Sequence, residues 1–182
     1  MAKVSTLRAA PAAALGAIAL MLLVLPGTQS VRAETATPAK PCTSPSHRQF
    51  DFWVGTWDVT QAGKTAGQNK IDSILNGCAL MESWKGTGGV TGHSLNVYDS
   101  TREVWHQTWV DSTGSLLTLE GRFKDGAMVL EGVAADEKGA KARQRITWTA
   151  ASANEVRQLW QSSTDDGKTW KTEFDGLYRR QH

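Results

Sequence analysis

The sequence has little of what would name a function quickly. Its 182 residues include two Cys, five Pro, two Tyr and four Phe. Two thiols cannot build a disulfide-rich mini-scaffold or a four-thiolate zinc site. Neither sign of charge dominates: 20 Lys and Arg face 18 Asp and Glu. That balance provides no electrostatic footprint for nucleic acid and no polybasic patch for a membrane surface. The four histidines, His47, His93, His106 and His182, show no H-x-H or H-E-x-x-H spacing, so no metal centre is read from them. None is placed as an axial haem ligand, and no cofactor is expected. No serine lies in G-x-S-x-G. The glycine-rich GTGGVTG (86–92) precedes no helix, so it is not a phosphate cradle.

Tryptophan is abundant instead: eight residues, alongside 17 Gly. With a charged fraction of 21%, the composition is that of a folded chain. The length suits one domain with a sizeable core.

Residues 1–33 read as a secretory signal. Lys3 and Arg8 form a positive start, an uncharged Ala- and Leu-rich run extends from Ala9 to Pro26, and Val31-Arg32-Ala33 presents small residues at a cleavage site. The alternative is a retained membrane anchor, although Pro11, Gly16 and Pro26 interrupt a run barely long enough to span. Cleavage removes three basic residues and no acid, so the remaining chain is near neutral. Residues 34–43 are small, polar and Pro-containing, and read as a flexible lead-in to a domain over 44–182. The expected location is the periplasm or the exterior of a bacterium, with no membrane insertion after cleavage. In that oxidising setting Cys42 and Cys78 are expected to bond, closing a loop of about 37 residues and adding ~3–4 kcal/mol. Two buried free thiols are the alternative.

A short entry helix is expected from Ser44-Pro45 or Ser46 to about Phe52, with Ser46 and Gln49 as a capping box. From Gly55 onward the hydrophobic period is two, and turn signals recur about every ten residues, among them Asn76-Gly77 and Asp125-Gly126. Strands are expected over 55–62, 68–75, 78–85, 91–98, 103–111, 115–124, 127–134, 141–149, 154–162 and 169–180. No strand alternates with a long helical pattern, which excludes a parallel βαβ fold. The fold class is all-β: about ten antiparallel strands in an up-and-down barrel with a short N-terminal helix. A β-sandwich is the alternative. A barrel of this strand number can hold a small ligand.

Alternation assigns the inward faces. Leu80, Glu82 and Trp84 share one, as do Trp105, Gln107 and Trp109. Val156, Gln158 and Trp160 form a third, and Trp170, Phe174, Gly176 and Tyr178 a fourth. Over 91–98 two phases compete: Leu95 and Val97, or Ser94, Asn96 and Tyr98. Small-molecule pockets are mostly apolar and aromatic with a few placed polar groups. The candidate ligand-binding set is therefore Glu82, Trp84, Asn96, Trp105, Gln107, Trp109, Gln158, Trp160 and Tyr178, with Trp148 and Ser94 beside them. The same indoles could equally pack the barrel solid. An inward Glu82 is costly without a partner. It reads as a ligand contact, as an acid/base with a raised pKa, or as one half of an ion pair, with Arg145 a possible partner.

Several segments together resemble a bacterial family known as domain of unknown function 1579, placed with the calycin barrels such as lipocalins. They are RQFDFWVGTWDV (48–59), GCALMESWKG (77–86), GHSLNVYD (92–99), WHQTWVDSTG (105–114), VRQLWQSSTDDGKTW (156–170) and FDGLYRR (174–180). The resemblance implies a calycin-like barrel and no established activity. Gly55-Thr56-Trp57 is similar to the Gly-x-Trp of calycin first strands. That likeness implies that Trp57 plugs one end beneath an Arg of the last strand, and parity with Tyr178 selects Arg180. Residues 163–170 resemble the Asp box of sialidase-type propellers, with Asp165, Gly167 and Trp170 at its defining positions. One copy in a short chain makes a stable hairpin, not a propeller. The expected function is an exported barrel binding a small apolar or aromatic molecule. The alternatives are a filled envelope or interaction protein, and an enzyme using Glu82 as acid/base.

Overall fold

The computed structural model describes residues 41–135 and 139–181. The leader over 1–33 and most of the lead-in lie outside them.

Ten antiparallel strands close into one barrel. They are β1 (Gly55–Gln61), β2 (Lys64–Ile74), β3 (Ala79–Gly86), β4 (Thr91–Asp99) and β5 (Val104–Asp111), then β6 (Leu116–Lys124), β7 (Ala127–Ala135), β8 (Lys141–Ser152), β9 (Glu155–Ser163) and β10 (Lys171–Arg180). Each strand pairs with its neighbours in sequence, and β1 pairs with β10 from Trp57 opposite Arg180 to Gln61 opposite Gly176. Closure satisfies the backbone groups that a sandwich leaves at its edges. The expected barrel is borne out, with strand ends displaced by at most a few residues.

The entry segment differs from expectation. It forms two 3-10 turns, Pro45–Arg48 and Asp51–Trp53, rather than one helix. No capping box forms: Ser44 is the cap residue, and the Gln49 carbonyl accepts from the Trp105 indole N–H at 3.3 Å. In a 3-10 turn residues three apart lie on one side. That spacing aims Phe50 and Trp53 together into the barrel, stacked with ring centroids 4.9 Å apart.

Those two rings nucleate a solid end. Phe50 meets Trp105 and Trp148 edge-on at 5.6 and 5.2 Å, and Trp53 meets Trp148 at 5.3 Å. Trp57 donates its indole N–H to the Trp53 carbonyl at 2.9 Å. The Arg180 guanidinium lies 4.2 Å from the Trp57 ring centroid and donates to the Val54 carbonyl at 2.9 Å. Gly55 permits this approach. Its φ is +144°, and a Cβ there would sit 2.1 Å from the guanidinium. Below the rings, Ile71, Leu80, Leu119, Met128, Leu130 and Val156 complete a buried core. The packing carries a cost: the indole N–H groups of Trp53 and Trp148 are buried without partners among the described residues, about 1–3 kcal/mol each.

Cys42 and Cys78 are bonded, with Cα atoms 5.0 Å apart. The bond ties the chain ahead of the first 3-10 turn to the start of β3, and Arg48 adds a hydrogen bond to the Gly77 carbonyl.

Trp170 departs from its expected face. A bulge between Thr172 and Phe174 shifts the register of β10 against β9, and one extra residue reverses the facing of everything before it. Trp170 therefore stacks outside the barrel, where the Arg145 guanidinium lies 3.9 Å from its ring centroid. The hairpin of residues 163–170 is closed by its own side chains. Asp165 accepts from the Thr169 N–H and hydroxyl at 2.9 and 2.6 Å, Ser163 Oγ accepts from the Gly167 N–H at 2.8 Å, and Trp170 donates to the Gly167 carbonyl. The Thr169 and Ser163 bonds hold the Asp165 pKa down at about 2.

Phe50 touches three indoles at the closed end. Phe50→Ala is expected to cost ~3–5 kcal/mol of unfolding free energy in urea titrations. A loss under about 1 kcal/mol would mean that this end is not a packed core.

Candidate functional site

The strands run between two unlike ends. On β5, Trp105 belongs to the solid end, whereas Trp109 and Asp111 reach the other, where the 86–92 and 111–115 turns lie. There the interior is open, with a cavity of about 390 Å³. Trp84, Trp109, Trp160 and Phe174 supply aromatic wall, and Leu117, Ile146 and Ala134 supply aliphatic wall, with the exposed Leu116 at the rim. Gly92 makes room for Trp109, because a Cβ there would lie 2.3 Å from the indole.

Seven of the nine candidate residues line this cavity: Glu82, Trp84, Gln107, Trp109, Gln158, Trp160 and Tyr178. Two do not. Trp105 is buried against Phe50 and Tyr98 at the solid end. Asn96 is buried one layer deeper, beneath Gln107. Trp148 likewise belongs to the solid end. The competing phases of β4 are resolved in favour of the polar one. Ser94 and Asn96 are buried, whereas Leu95 and Val97 are 53% and 38% exposed.

The polar phase has a physical reason, since β4 supplies two members of a polar network under the cavity. Gln107 Nε2 donates to Asn96 Oδ1 at 2.8 Å, Asn96 Nδ2 to Ser94 Oγ at 2.9 Å, and Ser94 Oγ to Glu82 Oε2 at 2.7 Å. From β2, Asn69 Nδ2 donates to Glu82 Oε1 at 2.7 Å and to the Tyr178 hydroxyl at 3.2 Å. Tyr178 in turn donates to Gln158 Oε1. Trp160 donates to Gln144 Oε1 at 2.7 Å. Ser94 receives an N–H from Asn96, so its own proton goes to Glu82, and donors converge on the carboxyl.

Glu82 is 5% exposed and makes no ion pair with a described Lys or Arg. Arg145 is not its partner. It points outward and bonds Glu131 at 2.5 Å. Burial pushes the Glu82 pKa up, while hydrogen bonds from Ser94 and Asn69, and more weakly the His93 imidazole, pull it back. Burial, then the nearby Glu82 charge, raises the Tyr178 hydroxyl well above its ordinary value, so it stays neutral.

Two further acids lie at the rim. Burial pushes the Asp111 carboxyl up, but bonds from Thr113, Trp109 and Ser115 outweigh it and hold the pKa below its usual value. Glu173, the residue at the bulge, is held low by Ser162 and Lys171. Sequence reasoning missed Asn69, Gln144, Glu173 and Phe174 as site residues. Alternation would have found Gln144, two residues before Ile146 on an inward face, but nothing local marks the bulge that admits Glu173. No cluster of His, Cys, Asp and Glu suited to a metal occurs among the described residues.

The fold and site together define a one-mouthed β-barrel with an aromatic cup and a polar floor. No family model matches the chain, and no curated protein matches it.

A raised carboxyl pKa means that the folded protein holds a proton the unfolded chain has released. Stability then falls as pH rises from the unfolded carboxyl value through the folded one. Glu82→Gln removes that dependence, and Asn69 can turn its unpaired Oδ1 to accept from the new amide. The variant is expected to melt a few degrees above the parent at pH 8 and level with it near pH 4. Parallel melting curves across pH would disprove this.

Proposed function

We propose that the protein is an exported binding protein that holds a small, mostly apolar or aromatic molecule in the barrel cup. The cavity carries the reading. About 390 Å³ of space lies within aromatic wall over a few oriented polar groups, the composition and size expected of a ligand site. Export is supported by the leader pattern over residues 1–33. The Cys42–Cys78 bond and the absence of a membrane-crossing helix among the described residues are compatible with it. Membership of the domain of unknown function 1579 family, within the calycins, is supported by the six segments and by the Trp57–Arg180 stack.

A filled interaction barrel fits the solid end but not the open one. Its outer apolar residues form two small groups, Leu95 and Val97 opposite Met81 and Ala79, and Val110 opposite Leu116, with His93, His106 and Thr108 beside them. Catalysis by Glu82 is the second reading, supported by a buried carboxyl of raised pKa at the cavity floor.

Titration with the neutral fluorophore N-phenyl-1-naphthylamine tests the binding reading. Saturable enhancement and Trp quenching are expected, with both lost in Ala134→Trp, which fills the cavity while leaving the barrel's circular dichroism unchanged. No saturable signal, or an equal signal in the filled variant, would refute it.

A further inference from the structure

We propose that the natural occupant of the cup is a small organic cation: a protonated amine carried on an apolar or aromatic body, its ammonium held at Glu82. The inference rests on the cup being a binding site and names the chemistry of what it binds.

The charges of the lining are one-sided. Among the described residues its acidic side chains are Glu82, Asp111 and Glu173, and no Lys, Arg or His lines it. Glu173 shares its charge with the exposed Lys171, 3.0 Å away at the rim. Asp111 is held by hydrogen bonds from its own turn. Glu82 has no such compensation. Each of its oxygens accepts one neutral donor and keeps a further lone pair. Ionised, Glu82 would be an anion buried without a counter-charge, which is costly; an ammonium entering from the cavity would supply that counter-charge and favour the ionised form.

The walls favour the same guest. Trp109 and Trp160 have their N–H groups bound to Asp111 and Gln144, so carbon rings remain to meet a ligand. Indole faces attract ammonium groups and repel carboxylates. The floor offers further polarity. With its carbonyl accepting from Trp160, Gln144 turns its amide nitrogen elsewhere, and Gln158 does the same on accepting from Tyr178. A neutral ligand could use these groups but would supply no counter-charge for Glu82. A carboxylate ligand would confront it.

Isothermal titration of the disulfide-bonded protein with three indole probes of similar size decides the matter. They are 3-(2-aminoethyl)indole, 3-ethylindole and indole-3-propionate, which are cationic, neutral and anionic at pH 7.5. The amine is expected to bind at least about tenfold more tightly than 3-ethylindole, with the propionate weakest. Glu82→Gln is expected to remove the amine's advantage and leave 3-ethylindole unchanged. The wild-type series stands on its own if that variant folds poorly. Equal binding of amine and neutral probe, or preference for the propionate, would overturn the cation while leaving the cup a binding site. Failure of all three probes, together with N-phenyl-1-naphthylamine, would overturn both.

Discussion

A ten-stranded barrel encloses more space than the side chains of its own strands can fill, and everything distinctive here depends on how that space is divided. Phe50 and Trp53 enter from outside the sheet and lock against Trp57, Trp105 and Trp148. Their insertion makes half of the interior a conventional core. Only because that half bears the load can the other half stay open and carry buried polar groups. The barrel thus separates stability from recognition along its axis. The same strands serve both, as β5 does with Trp105 at one end and Trp109 at the other.

The floor between the halves is where hydrophobic patterning gives way. Ser94, Asn96, Gln107, Glu82 and Asn69 occupy inward positions that a simple core would fill with Val or Leu. All are linked by hydrogen bonds, so much of the cost of burying them is met within the network, Asn69 Oδ1 being left without a partner among the described residues. The Glu82 carboxyl is the costliest member, because burial outweighs its hydrogen bonds and raises its pKa. The proposed binding reading turns on that group and the cavity above it.

Much of this was legible in the residues. Period two and regular turns specified ten antiparallel strands, and alternation placed seven cavity residues on inward faces. The failures were local and physical. On β4 the exposed Leu95 and Val97 outweigh Ser94 and Asn96 by hydropathy, because the partners that make the polar phase favourable lie on other strands. Trp170 was misplaced by a bulge, which alternation cannot detect. The short helical entry was legible, although its form, two 3-10 turns, was not. The division into solid and open halves was not legible, since it depends on which indoles the entry segment reaches.

The Cys42–Cys78 bond acquires a meaning from its place beside that entry segment. The aromatic-bearing stretch is fastened at one end by the disulfide and at the other by its continuation into β1. It is a strap buckled across the base of the barrel, not a tail tucked into it. Without the bond, the same residues would be held by β1 and by the packing of Phe50 and Trp53. The bond therefore helps fix where the closing aromatics enter, at the end of the barrel away from the cup.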